Sequence, residues 1–170
     1  MIKMIHVVDS FRRDAVARGR HDYEAASWSA STDGGPVVEQ ADTVTAAPGE
    51  AKGLRLILGL ADDAAEPVLA RLVRLAPGGV GRPWGDGSGW VGLHVLAAAE
   101  GSTAGGLSVL RPTSRDNEEG PDWETTLHFP LEVDRLFVFR RSLACTWSVD
   151  HLESGARLLA RAFLVSDPVS

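Results

Sequence analysis

From Trp90 to Val165 the chain is a train of short apolar runs, each bounded by Gly, Pro, Asp or Ser. The runs are "WVGLHVLAAA", "GGLSVLRP", "TTLHFPL", "RLFVFRR", "CTWSV" and "ARLLARAFLV". Apolar stretches of this length between turn residues read as strands. Many short strands in succession form a sandwich, a jelly roll or a barrel. This is the tightest constraint on the fold: mainly β, with a few flanking helices and no internal repeat.

The first part of the chain is less regular. "IKMIHVV", closed by Asp9-Ser10, reads as an opening strand. "FRRDAVARGRHDYEAASW" has apolar residues at helical spacing, interrupted by Gly19, and reads as a helix. "STDGG" is a turn and "PVVEQADTVTAA" one or two short strands. "PGEAKG" reads as a loop, and "LRLILGL" fits a strand or the end of a helix equally well. Pro67 argues against one long helix through "DDAAEPVLARLVRLA". "PVLARLVRLA" then fits a strand, with Leu69, Leu72 and Leu75 disturbing the alternation. The most polar stretch, "RPTSRDNEEGPDW" (111–123), is expected to be a mobile loop. The expected organisation is one domain over 1–170, with flanking elements in 1–66 and the β core in 67–166.

Bulk properties exclude several function classes. At 170 residues the chain can bury a proper core. The hydrophobic fraction of 44% and mean hydropathy of −0.03 are those of an ordinary globular protein. No apolar run approaches a membrane span, and the N-terminus lacks the apolar stretch of a signal peptide. The single cysteine, Cys145, excludes an intrachain disulfide and a Cys-based zinc cluster. These features favour the cytoplasm. A net charge of −6 with pI near 5.3 shows no basic footprint for nucleic acid. Heavy use of Ala, Gly and Arg, with Lys3 and Lys52 the only lysines, matches a GC-rich bacterial genome.

The order of motifs from Leu69 to Val165 resembles the iron(II)/2-oxoglutarate-dependent oxygenases, in their prolyl-hydroxylase-like branch. "VRLAPGGVGRPWGD" is similar to the family's strand and Pro-Gly turn leading to His-x-Asp. "GGLSVL" is similar to its Gly-Gly-Leu strand. "DRLFVFRRSLACTWSV" is similar to the strand that carries the second histidine. "GARLLARAFLV" is similar to the closing strand with its carboxylate-binding arginine, here Arg157. Asp86 and Trp147 are 61 residues apart, and Trp147 and Arg157 are 10 apart, as the family pattern requires. The resemblance implies a double-stranded β-helix of jelly-roll or cupin-like form. It also implies a metal site of two histidines and one carboxylate.

The chain departs from the family at that site. Asp86 stands at the carboxylate position, but Trp84 and Trp147 stand where the two histidines belong. An indole nitrogen carries its proton and only donates. It cannot ligate iron, and one carboxylate does not hold Fe(II) against water. The expectation is no metal and no cofactor.

Each candidate residue has two readings. Trp84 and Trp147 are aromatic walls around a flat organic ligand, or plugs that fill the cavity the metal left. Asp86 is a general acid or base with its pKa raised between indoles, or a turn residue of "GDGSG". Arg157 holds a substrate carboxylate or enolate oxygen, or pairs with Asp134 or Glu153; Arg161 offers a competing register. His94 and His128 line the substrate site, shuttle protons, or form a displaced metal site with Asp86; alternatively they are hydrogen-bonded core or rim residues. Cys145 has no local base and reads as a small buried hydrophobe.

The expected function is metal-independent. A small organic molecule binds in the former metal cavity and undergoes a redox-neutral cyclisation or isomerisation, in bacterial natural-product biosynthesis. The competing expectations are a non-catalytic binding or partner protein, and an active oxygenase with shifted ligands. The expected partner is a small-molecule substrate, with no nucleic acid and no membrane, and with a homodimer as a further option.

Overall fold

The computed structural model describes residues 5–31, 37–62, 66–75, 87–97, 106–117, 120–130, 132–141, 146–150 and 158–168. The elements run β1 (Ile5–Val8), α1 (Arg13–Ala25), β2 (Ser29–Ala30), β3 (Val37–Gln40), β4 (Val44–Thr45), α2 (Pro48–Leu58), β5 (Leu69–Leu75) and β6 (Trp90–Ala97). They continue with β7 (Gly106–Asn117), β8 (Gly120–Pro130), β9 (Leu136–Arg140), β10 (Thr146–Asp150) and β11 (Leu158–Val165).

These strands form two antiparallel sheets. The large sheet has the order β1-β9-β6-β11-β5-β3-β2, with β4 also on β5; the small sheet has the order β10-β7-β8. The chain crosses from the large sheet at β9 to the small one at β10 and back at β11. This winding is the expected mainly β double-stranded β-helix.

The large sheet is buried on both faces. One face packs Val73, Leu75, Val91, Leu93, Val95, Phe137 and Ala160 into a cluster with Phe129 of the small sheet. The other face, with Trp90, Leu136, Val138 and Phe163, packs against Ala51 and Leu54 of α2. Leu72, Leu96 and Leu159 on that same face pack against Val16 of α1. A strand covered on both sides has no reason to alternate polar and apolar residues. That is why Leu72 disturbs the period of "PVLARLVRLA": it fills the helix side while Val73 fills the inter-sheet side.

Two readings of the sequence need correction. "PGEAKG" is not a loop but the first half of α2, and "LRLIL" completes that helix. Pro48 opens it, where its missing N–H costs nothing. Gly59 closes it in the left-handed region at φ 68°; its N–H reaches Leu56 O at 3.2 Å, and Leu60 N–H reaches Arg55 O at 2.8 Å. The segment 111–123 is not a simple loop either. Most of it forms the outer arms of the β7–β8 hairpin, paired from Arg111↔Glu124 to Asn117↔Gly120 with a register shift between Pro112 and Asp116. β10 pairs with β7 only over 106–110, so these arms are two-stranded. A ribbon without a third strand suits a polar sequence.

Candidate functional site

On β6 the side chains divide between two environments. Val91, Leu93 and Val95 face the small sheet, while Trp90 and Leu96 face the helices. His94 falls in the helix-side row and is fully buried. Its ring meets Phe11 edge-on, with centroids 5.2 Å apart. Nε2 lies 2.8 Å from Asp134 Oδ1. An ionised carboxylate only accepts, so Nε2–H donates and Nδ1 keeps a lone pair. Nδ1 is buried and has no hydrogen-bond partner among the described residues.

Asp134 organises the backbone around this pair. Its Oδ1 also accepts the Arg12 amide at 2.7 Å. Its own N–H donates to Val95 O at 2.8 Å, and its carbonyl accepts from the Phe11 amide at 3.0 Å. The residue sits at φ 68°, a region that Asp tolerates better than most side chains. Burial pushes the His94 pKa below the ordinary value, against the opposing pull of the Asp134 bond and charge.

Arg161 of β11 is the direct cross-strand neighbour of His94. Its Nε is 3.1 Å from Oε2 of Glu50, which α2 holds almost wholly out of water. Neither atom makes a directed hydrogen bond, so the contact is an ion pair lying off the N–H axis. Asp134, His94, Arg161 and Glu50 thus form a buried polar line under the helices, outside the space between the sheets.

Of the residues singled out in the sequence, His94, His128 and the backbone of Trp147 fall within the described residues. Trp84, Asp86 and Arg157 lie outside the described residues. Trp147 stands on β10, in register with Val109 of β7, which is in turn in register with Leu127 of β8. His128 is exposed on β8, with Nδ1 3.0 Å from the hydroxyl of buried Ser108. Its neighbour Phe129 packs toward the large sheet, so alternation puts His128 on the far face of the small sheet. His94 lies on the far face of the large one. The two histidines therefore do not converge, as a displaced metal site would require. Among the described residues no three His, Cys, Asp or Glu side chains group as metal ligands. Arg161, the competing arginine, points to Glu50 under the helices rather than between the sheets.

Sequence reasoning missed Glu50 and the part played by Asp134. The available signal was Arg161 itself. A charged residue inside the apolar run "ARLLARAFLV" demands a buried counter-charge. Nothing in the sequence names Glu50 as that partner, because "PGEAKG" reads as a loop.

No protein-family model matches the chain, and no curated protein matches it by sequence. Solved structures do match it. A prolyl-4-hydroxylase from Pseudomonas putida superposes with a TM-score of 0.51 over 96% of this chain and 93% of that one, at 14% identity. A prolyl hydroxylase from Trichoplax adhaerens, in complex with a hypoxia-inducible-factor peptide fragment, gives 0.50 over 95% and 83%, at 10% identity. HygX from Streptomyces hygroscopicus, with nickel and 2-oxoglutarate bound, gives 0.48 over 95% and 82%, at 11% identity. The first two likenesses define the fold: the double-stranded β-helix of the 2-oxoglutarate oxygenases. The resemblance read from the sequence holds at that level. No helix among the described residues is long and apolar enough to cross a membrane.

Proposed function

We propose that this protein uses the oxygenase fold without the oxygenase metal. It binds a small organic molecule between its two sheets and carries out a redox-neutral cyclisation or isomerisation. The observation that carries this reading is the donor set. In the motif order of the sequence, Trp84 and Trp147 fall where the family has its two histidines, and an indole offers no lone pair to iron. One carboxylate, Asp86, remains. These residues do not fit an Fe(II) site.

In this reading Trp84 and Trp147 are the walls that fold the substrate. Asp86 moves the proton, and Arg157 holds the anionic oxygen through its planar fork. His94 and His128 have no part, because Asp134 and Ser108 engage them elsewhere. A bacterial natural-product pathway suits such chemistry, by analogy of fold.

A second reading, a non-catalytic binding or partner protein, draws on the apolar packing between the sheets. There Phe129 lies against Phe137 with ring centroids 5.9 Å apart.

The test is metal content by elemental analysis of protein purified without chelator. Fe(II) and 2-oxoglutarate titrations of tryptophan fluorescence accompany it. The expected result is no stoichiometric metal and no quenching that depends on 2-oxoglutarate. The double variant Trp84→His/Trp147→His, which rebuilds two histidines beside Asp86, is expected to gain Fe(II) binding. Stoichiometric iron in the unaltered protein, with quenching that needs 2-oxoglutarate, would overturn the proposal.

A further inference from the structure

Arg161 opens onto two adjoining clefts on the helix side of the large sheet. One, of about 310 Å³, lies between the end of α1, the β3–β4 connection and β5, and is lined by Asp22, Asp42, Arg71 and Arg161. The other, of about 170 Å³, lies between α1 and α2 and is lined by Arg18, Asp22, Glu50 and Arg161. Asp22 and Arg161 belong to both, so the clefts meet at these two side chains.

Arg161 stands in a row that is otherwise apolar. The other helix-side residues of β11 are Leu159, Phe163 and Val165, all buried. An arginine in that row gives up hydration, and such a charge is costly unless it is fully paired. Glu50 neutralises it across 3.1 Å from Nε, off the N–H axis. Among the described residues no hydrogen bond is made by the two terminal nitrogens. They form the rigid fork that suits a carboxylate.

The charges around the joined clefts decide what else the ligand carries. Arg18 and Arg161 stand there with Asp22, Asp42 and Glu50, while the side chain of Arg71 follows Ala162 and Val73 to the other face of the sheet. A ligand of one sign would be attracted by part of this lining and repelled by the rest. A dipolar ligand satisfies both. The larger volume sits at the low end of small-molecule sites, which suits a molecule of amino-acid size.

The geometry points to this double cleft as a binding site for a small zwitterion of the amino-acid class, its carboxylate on Arg161 and its ammonium at Asp22 and Asp42. The site lies across the large sheet from the space between the sheets. It stands or falls independently of the chemistry proposed there.

The test is amide chemical-shift mapping on the isotopically labelled full chain. The probes are 4-aminobutyrate and the common α-amino acids, with butyrate and butylamine as single-charge controls. At least one zwitterion is expected to give saturable shifts at Asp22, Ala26, Asp42, Leu72 and Arg161, while both controls bind much more weakly. Arg161→Met and Asp22→Asn are each expected to weaken binding roughly tenfold or more, the value of one charged hydrogen bond. Asp22 is exposed, so its variant keeps the test valid even if the Arg161 variant unfolds. The proposal is overturned if no zwitterion gives saturable shifts at these amides. It is equally overturned if butyrate binds as tightly as 4-aminobutyrate, or if Asp22→Asn leaves affinity unchanged.

Discussion

One oxygen of Asp134 takes two hydrogen bonds from distant parts of the chain: His94 Nε2–H at 2.8 Å and the Arg12 amide at 2.7 Å. It thereby fastens the β1–α1 connection to β6 and to the start of β9. Removing the carboxylate leaves two buried donors unmet, each costing on the order of 1–3 kcal/mol. Alanine also tolerates the left-handed backbone at this position poorly. Asp134→Ala is expected to lose about 3–5 kcal/mol in equilibrium denaturant unfolding. Asp134→Asn keeps an acceptor and suits the backbone, so its loss should be about half as large. Equal losses for the two variants would show that the bonds to His94 and Arg12 are not what Asp134 contributes.

His94 makes stability depend on pH. Burial holds its folded pKa below the ordinary 6.5. Below pH 6.5 the unfolded chain takes up a proton that the folded chain refuses, so protonation favours unfolding. The stabilising contribution is complete above 6.5 and is lost as pH falls through the folded value. Asp9 and Asp14, whose pKa values are lowered from 3.8 by Arg135 and Arg12, destabilise only in a more acidic range. In denaturation series across pH, the unaltered protein is therefore expected to weaken just below 6.5. His94→Gln should show a flatter slope in that window. Parallel curves would mean that His94 does not titrate on unfolding.

The sequence shows the β core well because the turn residues that bound its strands are local signals. β5, β6, β9 and β11 fall inside the runs read as strands. The helix α2 was harder to read. Its start has no side-chain cap, and Ala47 precedes Pro48 directly. The pair that frames it, Pro48 and Gly59, is a real signal, but "PGEAKG" also matches turn chemistry. The polar line under the helices was not legible at all. His94 and Arg161 are 67 positions apart in sequence and become neighbours only through the β6–β11 register. Glu50 reaches them only because α2 covers that face. Tertiary pairing decides such contacts, and no local pattern announces them.

Arg74 is held by two aromatic rings and a carboxylate. Its guanidinium carbon lies 4.0 Å from the Trp28 ring centre and 4.7 Å from that of Tyr23, with Nη1 2.6 Å from Glu39. The cluster ties the end of α1 to the β3–β5 edge of the large sheet. Lysine keeps the charge but loses the flat face that stacks on the rings. Arg74→Lys is expected to cost about 1 kcal/mol and Arg74→Ala about 2 kcal/mol in denaturant unfolding. If lysine proves neutral, the ion pair with Glu39 alone accounts for the residue.

Gly19 interrupts a helix pattern, and the structure gives the reason. A Cβ at this position would stand 2.5 Å from Leu96 Cδ1, and Leu96 is fully buried on β6. α1 therefore sits as close to the sheet as a bare backbone permits. Gly19→Ala gains about 1 kcal/mol of helix propensity. It overpacks a filled core at a cost of about 1–3 kcal/mol. The net expectation is a loss of about 1 kcal/mol in thermal or denaturant unfolding. The double variant separates the two effects. In a Leu96→Ala background the added methyl has room, so Gly19→Ala should become neutral or stabilising. A coupling energy of about 1–2 kcal/mol between the two positions would identify Leu96 as the reason for the glycine, whereas additive effects would place the conflict elsewhere along α1.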